Sequence, residues 1–451
     1  MGNEVFDSGL DKASDSRFSA PMDRRSLLKF GAAAGALTVI GTSLAWEGTS
    51  SASTASEIKS LKKVLGPFHP KYTGKGLNFG MGAVVPLTGS SASYGIVESQ
   101  AINLAVSQIK AMGGPHINVI YEDAGQASAT LGVSAVRALG ADHVPAMVSS
   151  FGGNFGAMFP EIAQYKILSI DPGGGTGGPT GEGKPYFWGT ISIEPEDQYG
   201  GIVQYIKAKM PNVTKFAQVG YDLGTARNTE IQAVLTAALA TINVDLVYFG
   251  LFPIGATDYT DVLSKLQASG AEASFLFSGG TDIVNYLKQY SQIGLTQPIF
   301  TDTTTPQIQS DSGPAIADVY FSLDQFQPNA PSNQWAKVFV ETFKGRYHEL
   351  PTNSAASYYE TTFIFWWLIQ RVLKKHGNIY SGRQLQDALV ALPVFPSVHG
   401  GTSRELGVLR LNTKTHSPSR RPIGLYTWNT SKNVFDIVAS YNIAGADFKL
   451  A

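Results

Sequence analysis

The sequence predicts an α/β protein built from two doubly wound parallel sheets, and three observations predict it. Short apolar runs alternate with segments of helical spacing roughly every 15–25 residues, the rhythm of right-handed βαβ units. That rhythm pauses near residue 190 and restarts near residue 216. A chain of 451 residues also exceeds what one hydrophobic core usually organises, so two cores are expected.

The elements follow in order. Residues 77–85 read as a strand ending at Pro86-Leu87-Thr88-Gly89, and 97–111 as a helix with Ile102, Leu104, Ala105 and Ile109 on its apolar face. Gly113-Gly114-Pro115 stops that helix before a strand at 117–122. A helix at 130–139, a strand at 146–148, a helix at 160–165 and a strand at 167–170 complete the first set. Residues 188–197 read as a crossing segment. The second set has strands at 216–220, 244–249, 273–277 and 298–300, with helices at 228–240, 259–269 and 283–293. Beyond Pro314 come a strand at 319–323 and helices at 333–347, 355–373 and 384–391. Residues 363–369 are apolar throughout, which places Trp366 and Trp367 in a core. Residues 407–411 and 423–428 read as a hairpin.

The N-terminus reads as an address. Arg24-Arg25 with Leu27-Leu28-Lys29 precedes an apolar, small-residue run at 30–44. A charged segment, an apolar segment of about 15 residues and a small-residue end make a secretory signal, and the run falls short of the roughly 20 residues of a membrane span. The arginine pair resembles a twin-arginine export signal. Residues 1–45 are expected to be this signal, cleaved near Ala45 or retained as an anchor, and 46–74 a flexible leader.

Composition excludes several classes. Formal net charge is −1, so no basic field is available for nucleic acid and a neutral or zwitterionic small partner fits better. The absence of cysteine removes disulfides, thiol catalysis, cysteine-ligated metals and a lipid-modified N-terminal cysteine. The seven histidines are scattered without metal-ligand spacing. Neither a GxSxG elbow nor an HExxH motif occurs, so no enzyme activity is expected. Gly173, Gly175 and Gly178 satisfy GxGxxG, and Gly178 with Gly183-Lys184 most of a P-loop. A helix must open directly behind either motif, and Pro179, Gly181, Gly183 and Pro185 prevent one, so the stretch reads as a ligand-facing loop and no cofactor is expected.

What remains is a set of small, polar loops at strand C-terminal ends: 88–94, 149–154, 171–176, 221–225, 278–282 and 301–304. In open α/β sheets ligands bind outside those ends. Bare glycine amides and Ser/Thr hydroxyls there suit a carboxylate or an amide.

In this order and spacing the chain resembles the type I periplasmic solute-binding proteins of the leucine/isoleucine/valine class, which serve ABC importers. The resemblance runs over about 79–428. Its anchors are Pro86-Leu87-Thr88-Gly89 with Ala92-Ser93-Tyr94-Gly95, Met112-Gly113-Gly114, Ser149-Ser150, Ile170-Asp171-Pro172-Gly173, Asp258-Tyr259-Thr260, Phe277-Ser278-Gly279-Gly280, Tyr358-Tyr359 and Gly407-Val408-Leu409. It implies two lobes joined by a three-stranded hinge, one at 75–193 and 315–395, the other at 194–314 and 396–451. It also implies a small-molecule ligand captured in the inter-lobe cleft and passed to ABC importer permease subunits; a monomer is expected, and the Arg24-Arg25 signal adds export by the twin-arginine machinery. A ligand-sensing receptor of the same fold remains the alternative. On this resemblance Tyr94 lines the cleft, and Ser149, Ser150, Gly173, Gly174, Gly175 and Thr176 bind a carboxylate. Tyr221, Thr225, Thr281 and Asp282 face them from the second lobe with Asp302, Thr303 and Thr304. Thr303 or Thr304 stands where amino-acid-binding members carry a Glu for the α-ammonium. Either Asp302 or Asp282 replaces it, or the ligand lacks an ammonium; the sequence leans to the latter, and an amide, a urea-like compound or a carboxylic acid stands beside leucine.

Overall fold

The computed structural model describes residues 54–451, apart from Ser90, 126–127, 151–155, 174–183, 192–193 and 433. The expected signal at 1–45 and Gly174, Gly175 and Thr176 lie outside the described residues. Among those described, no helix is long and apolar enough to cross a membrane.

The expected leader contains structure. Residues Ala55–Leu65 form helix α1, opened by a reciprocal cap in which the Thr54 hydroxyl accepts from the Glu57 N–H and the Glu57 carboxylate accepts from the Thr54 N–H, each at 3.2 Å. Leu61 is fully buried in the first core, and Trp366 donates to the Thr73 carbonyl at 2.8 Å. A capped amphipathic helix with an apolar face to bury is no free tether.

The first sheet comprises β1 (Asn78–Val85), β2 (His116–Asp123), β3 (Ala146–Ser149), β4 (Leu168–Asp171) and β5 (Phe187–Gly189), all parallel in the order β2-β1-β3-β4-β5. Its connections carry α2 (Ala92–Ala111), α3 (Ala129–Ala141) and α4 (Phe159–Tyr165). Along β1, Phe79, Met81, Ala83 and Val85 enter one core while Val84 enters another with Met147. The two-residue period thus feeds both faces, as a sheet covered on both sides requires.

After α5 (Pro195–Lys209) the second sheet begins with β6 (Lys215–Tyr221), α6 (Thr225–Ala240) and β7 (Asp245–Phe252). It continues through α7 (Thr260–Ser269), β8 (Ala273–Phe277), α8 (Gly280–Gln292), β9 (Ile299–Thr301), α9 (Pro306–Ser312) and β10 (Val319–Asp324). The chain then returns to the first sheet with α10 (Gln334–Tyr347), α11 (Asn353–Lys374) and α12 (Gly382–Ala391). Trp366 is fully buried there and Trp367 half-buried.

Three features of the second half differ from expectation. Strand β10, which a span of 315–395 would group with the first sheet, pairs with β9 in the second. Strands β11 (Val394–Ser397), β12 (Gly407–Leu411) and β13 (Pro418–Arg420) form a small antiparallel sheet of their own. Its Phe395, Leu409 and Leu411 bury in the first core, although 396–451 was expected with the second. Residues 407–411 and 423–428 therefore make no hairpin. Strand β14 (Pro422–Asn429) instead pairs with β10 and with β15 (Val434–Asn442), and β16 (Lys449–Leu450) forms the edge, so the second sheet is parallel with an antiparallel margin. The chain changes halves near residue 191, near Asp324 and at Arg421.

Candidate functional site

The parallel strands of each sheet end on loops that meet across a narrow cleft with a cavity of about 20 Å³, open to solvent in part. Tyr94, Glu98, Gly173, Asn353 and Ser354 line it from the first half, Asp302, Thr303 and Thr304 from the second, and Ile191 from the crossing.

Tyr94 lies in the first turn of α2, and the loop before it is held by Asp123 at the end of β2. That carboxylate accepts from the Leu87 N–H at 2.8 Å and the Thr88 hydroxyl at 2.5 Å. The Tyr94 ring crosses the cleft and packs in a core of the second sheet. Its hydroxyl hydrogen-bonds the Thr303 hydroxyl at 2.8 Å and accepts from the Gly280 N–H at 3.5 Å. Burial pushes this phenol up to about 12, so it stays neutral.

Glu98 follows one turn later on the same face of α2. Its Oε1 accepts from the Ser354 hydroxyl at 3.4 Å, and Oε2 has no hydrogen bond of normal geometry. Burial, reinforced by Asp171, pushes the carboxyl up to about 8, against the hydroxyls of Tyr358, Ser354 and Ser150. Asp302 stands opposite; its Oδ2 has no hydrogen bond, and burial holds this carboxyl well above the ordinary range.

Gly173 is there because nothing larger fits. A Cβ at this position would lie 2.3 Å from the Tyr358 hydroxyl and 2.9 Å from Ser150 Oγ. Its amide donates to Asp171 Oδ1 at 2.8 Å, so the expected anion-binding N–H is already engaged within its own turn.

The structure thus brings together Tyr94, Gly173, Asp302, Thr303 and Thr304, with Ser150 directly behind Gly173. The other expected residues that are described sit elsewhere. Ser149 faces Ser169 at 3.3 Å. The Tyr221 hydroxyl donates to the Gly279 carbonyl at 3.0 Å and accepts from its N–H at 2.9 Å, bracing the loop after β8. Asp282 accepts from the Gly255 N–H at 2.7 Å, and Thr225 and Thr281 are exposed. The sequence reading passed over Glu98, Ile191, Asn353 and Ser354. Glu98 had a signal: a carboxylate on the apolar face of α2 between Val97 and Ala101. Asn353 and Ser354 had none, since only packing of α11 against α2 brings them there.

Behind the cavity the crossings carry ion pairs. Arg227 binds Glu194 at 2.7 Å and Glu196 at 2.8 Å beside the first crossing. At the others Arg421, fully buried, donates through Nε to Asp324 at 2.5 Å and through Nη1 to Glu360 at 2.6 Å, with His399 Nδ1 at 3.0 Å from Nη2. Burial would raise the Glu360 carboxyl, and the Arg421 guanidinium overrides it and holds it at about 2. Among the described residues no group of three or more His, Asp or Glu is placed to hold a metal.

Comparison with known proteins agrees with this architecture. A solute-binding protein of an ABC transporter from R. palustris, in complex with benzoate, superposes with a TM-score of 0.68 at 16% identity, covering 83% of this chain and 98% of that one. The branched-chain amino acid transporter substrate-binding protein LivJ from Streptococcus pneumoniae, in complex with isoleucine, gives 0.67 at 18% identity, covering 81% and 99%. A leucine-binding protein LivK from Thermotoga maritima gives 0.68 at 16%, covering 80% and 98%. At these identities the likeness establishes the fold. The family model described as periplasmic binding protein matches residues 80–432, well over half of the sequence, and the chain therefore belongs to the periplasmic binding protein family.

Proposed function

We propose that this chain is the extracytoplasmic substrate-binding protein of an ABC importer, which traps a small polar ligand between two lobes that close over it and presents the closed form to the membrane permease. One lobe is the first sheet with α10–α12 and the small antiparallel sheet; the other is the second sheet. The observation that carries the reading is the cavity lined from both halves and bridged by the hydrogen bond of 2.8 Å between Tyr94 and Thr303. A ligand selects a closed form through contacts that the open form lacks. Amino acids, amides and small carboxylates are the candidate ligands that the sequence raises. Delivery outside the cytoplasm follows from the arginine pair Arg24-Arg25 ahead of the apolar run, and Lys at both positions should abolish export in a secretion assay.

Small-angle scattering of the mature chain, with and without a metabolite mixture, tests the closure. The expected result is a smaller radius of gyration with ligand, together with thermal stabilisation. Identical profiles and no retained metabolite would remove the transport reading.

A further inference from the structure

The cavity is acidic without compensation. Glu98 and Asp302 line it, one from each half, and each keeps a buried carboxyl oxygen without a hydrogen bond. No Lys, Arg or His lines it among the described residues. The groups facing Glu98 are also acidic or neutral: Asp171 from β4, Tyr358 and Ser354 from α11, and Ser150 after β3. A third carboxylate, Glu194, adds its field at Asp302. The Tyr94 hydroxyl feels both Asp302 and Glu98. The Arg227 and Arg421 guanidiniums are committed to carboxylates at the crossings.

We infer that the guest of this cavity is a small organic cation, carrying at least one ammonium or guanidinium in excess of any carboxylate, whose charged nitrogen lies between Glu98 and Asp302. The inference rests on the solute-binding reading above and goes against the sequence-based leaning toward a ligand without an ammonium. A cation supplies what the site lacks, because a buried carboxylate is stable only when paired or hydrogen-bonded. An anion would find no cation among the described lining residues, and the Gly173 amide is taken by Asp171.

The test is titration calorimetry with choline, L-arginine and putrescine as cations, L-leucine as zwitterion and benzoate as anion, each in two buffers of different ionisation enthalpy near neutral pH. At least one cation should bind more tightly than leucine or benzoate, with release of protons or none, because a cation favours the ionised carboxyls. Glu98→Gln and Asp302→Asn should each weaken that cation by about tenfold or more, the scale of a lost charged hydrogen bond. Circular dichroism checks that both variants fold, and the proton count on the unaltered protein stands independently of them. Tight binding of benzoate or leucine with proton uptake, undiminished in the two variants, overturns the cation and leaves the solute-binding reading intact. Binding of none of the five overturns the cation, and the metabolite-mixture scattering then decides separately whether the cleft closes on anything.

Discussion

Glu360 and Glu98 are both fully buried glutamates, and their carboxyls shift in opposite directions. At the crossing, Glu360 meets the Arg421 guanidinium at 2.6 Å and is held at about 2. In the cavity, Glu98 meets hydroxyls and another acid and is pushed up to about 8. Burial acts on both; only the presence of a buried cation decides the sign. The region that must hold the two halves together under every condition is electrostatically complete. The cavity proposed to accept a guest is left incomplete, and a cationic guest would complete it.

The largest effect should come from breaking the complete side. Replacing Arg421 with Met strands Asp324 and Glu360 in the interior, which should cost about 3–5 kcal/mol in urea denaturation. A loss below about 1 kcal/mol would mean that water reaches the crossing and the contrast fails.

Next is pH. A carboxyl whose folded-state value lies above its unfolded one supports the fold fully only while protonated. The Glu98 contribution is therefore complete below about 4.5, fades as pH rises, and is gone above about 8. Glu360 runs the other way: its contribution is present above about 4.5 and is lost as pH falls through about 2. In ligand-free protein the stability of Glu98→Gln relative to the unaltered chain should rise between about pH 4.5 and 8, by at most about 1.4 kcal/mol per pH unit. A flat difference would show the carboxyl in contact with water before ligand binds.

The smallest effect sharpens how the halves meet. Tyr94→Phe removes one neutral hydrogen bond across the cleft, worth about 1 kcal/mol. Ligand affinity should fall by roughly fivefold with the fold's melting temperature little changed. Unaltered affinity would make the Tyr94–Thr303 contact a bystander to closure.

Most of the first sheet was legible because strand and helix periods are local. Strand β2 spans His116–Asp123 against an expected 117–122, and β8 matches its expected bounds of 273–277. Helix α2 starts at Ala92, five residues before the apolar spacing begins, so Tyr94 read as loop and the pairing of Tyr94 with Glu98 on one face stayed hidden. The crossing segment expected at 188–197 overlaps the start of helix α5, which runs on through Gly200 and Gly201. They are contact glycines: a Cβ at Gly200 would lie 2.1 Å from the Ala444 carbonyl, and one at Gly201 would lie 2.2 Å from the Tyr441 ring. The sheet membership of β10 and of β11–β13 was equally illegible, because the same strand pattern serves either sheet and only pairing partners distinguish them.

The sequence by itself determined the alternation of strand and helix, the two sheets, and the small polar loops at strand ends, since each follows from residues within a few positions of one another. Which buried charges are matched is set elsewhere. Arg421 reaches Glu360 across 61 positions and Asp324 across 97, while Glu98 meets no cation among the described residues. Charge pairing in an interior depends on distances of a few ångströms between groups far apart in the chain, and those distances exist only once the halves have folded.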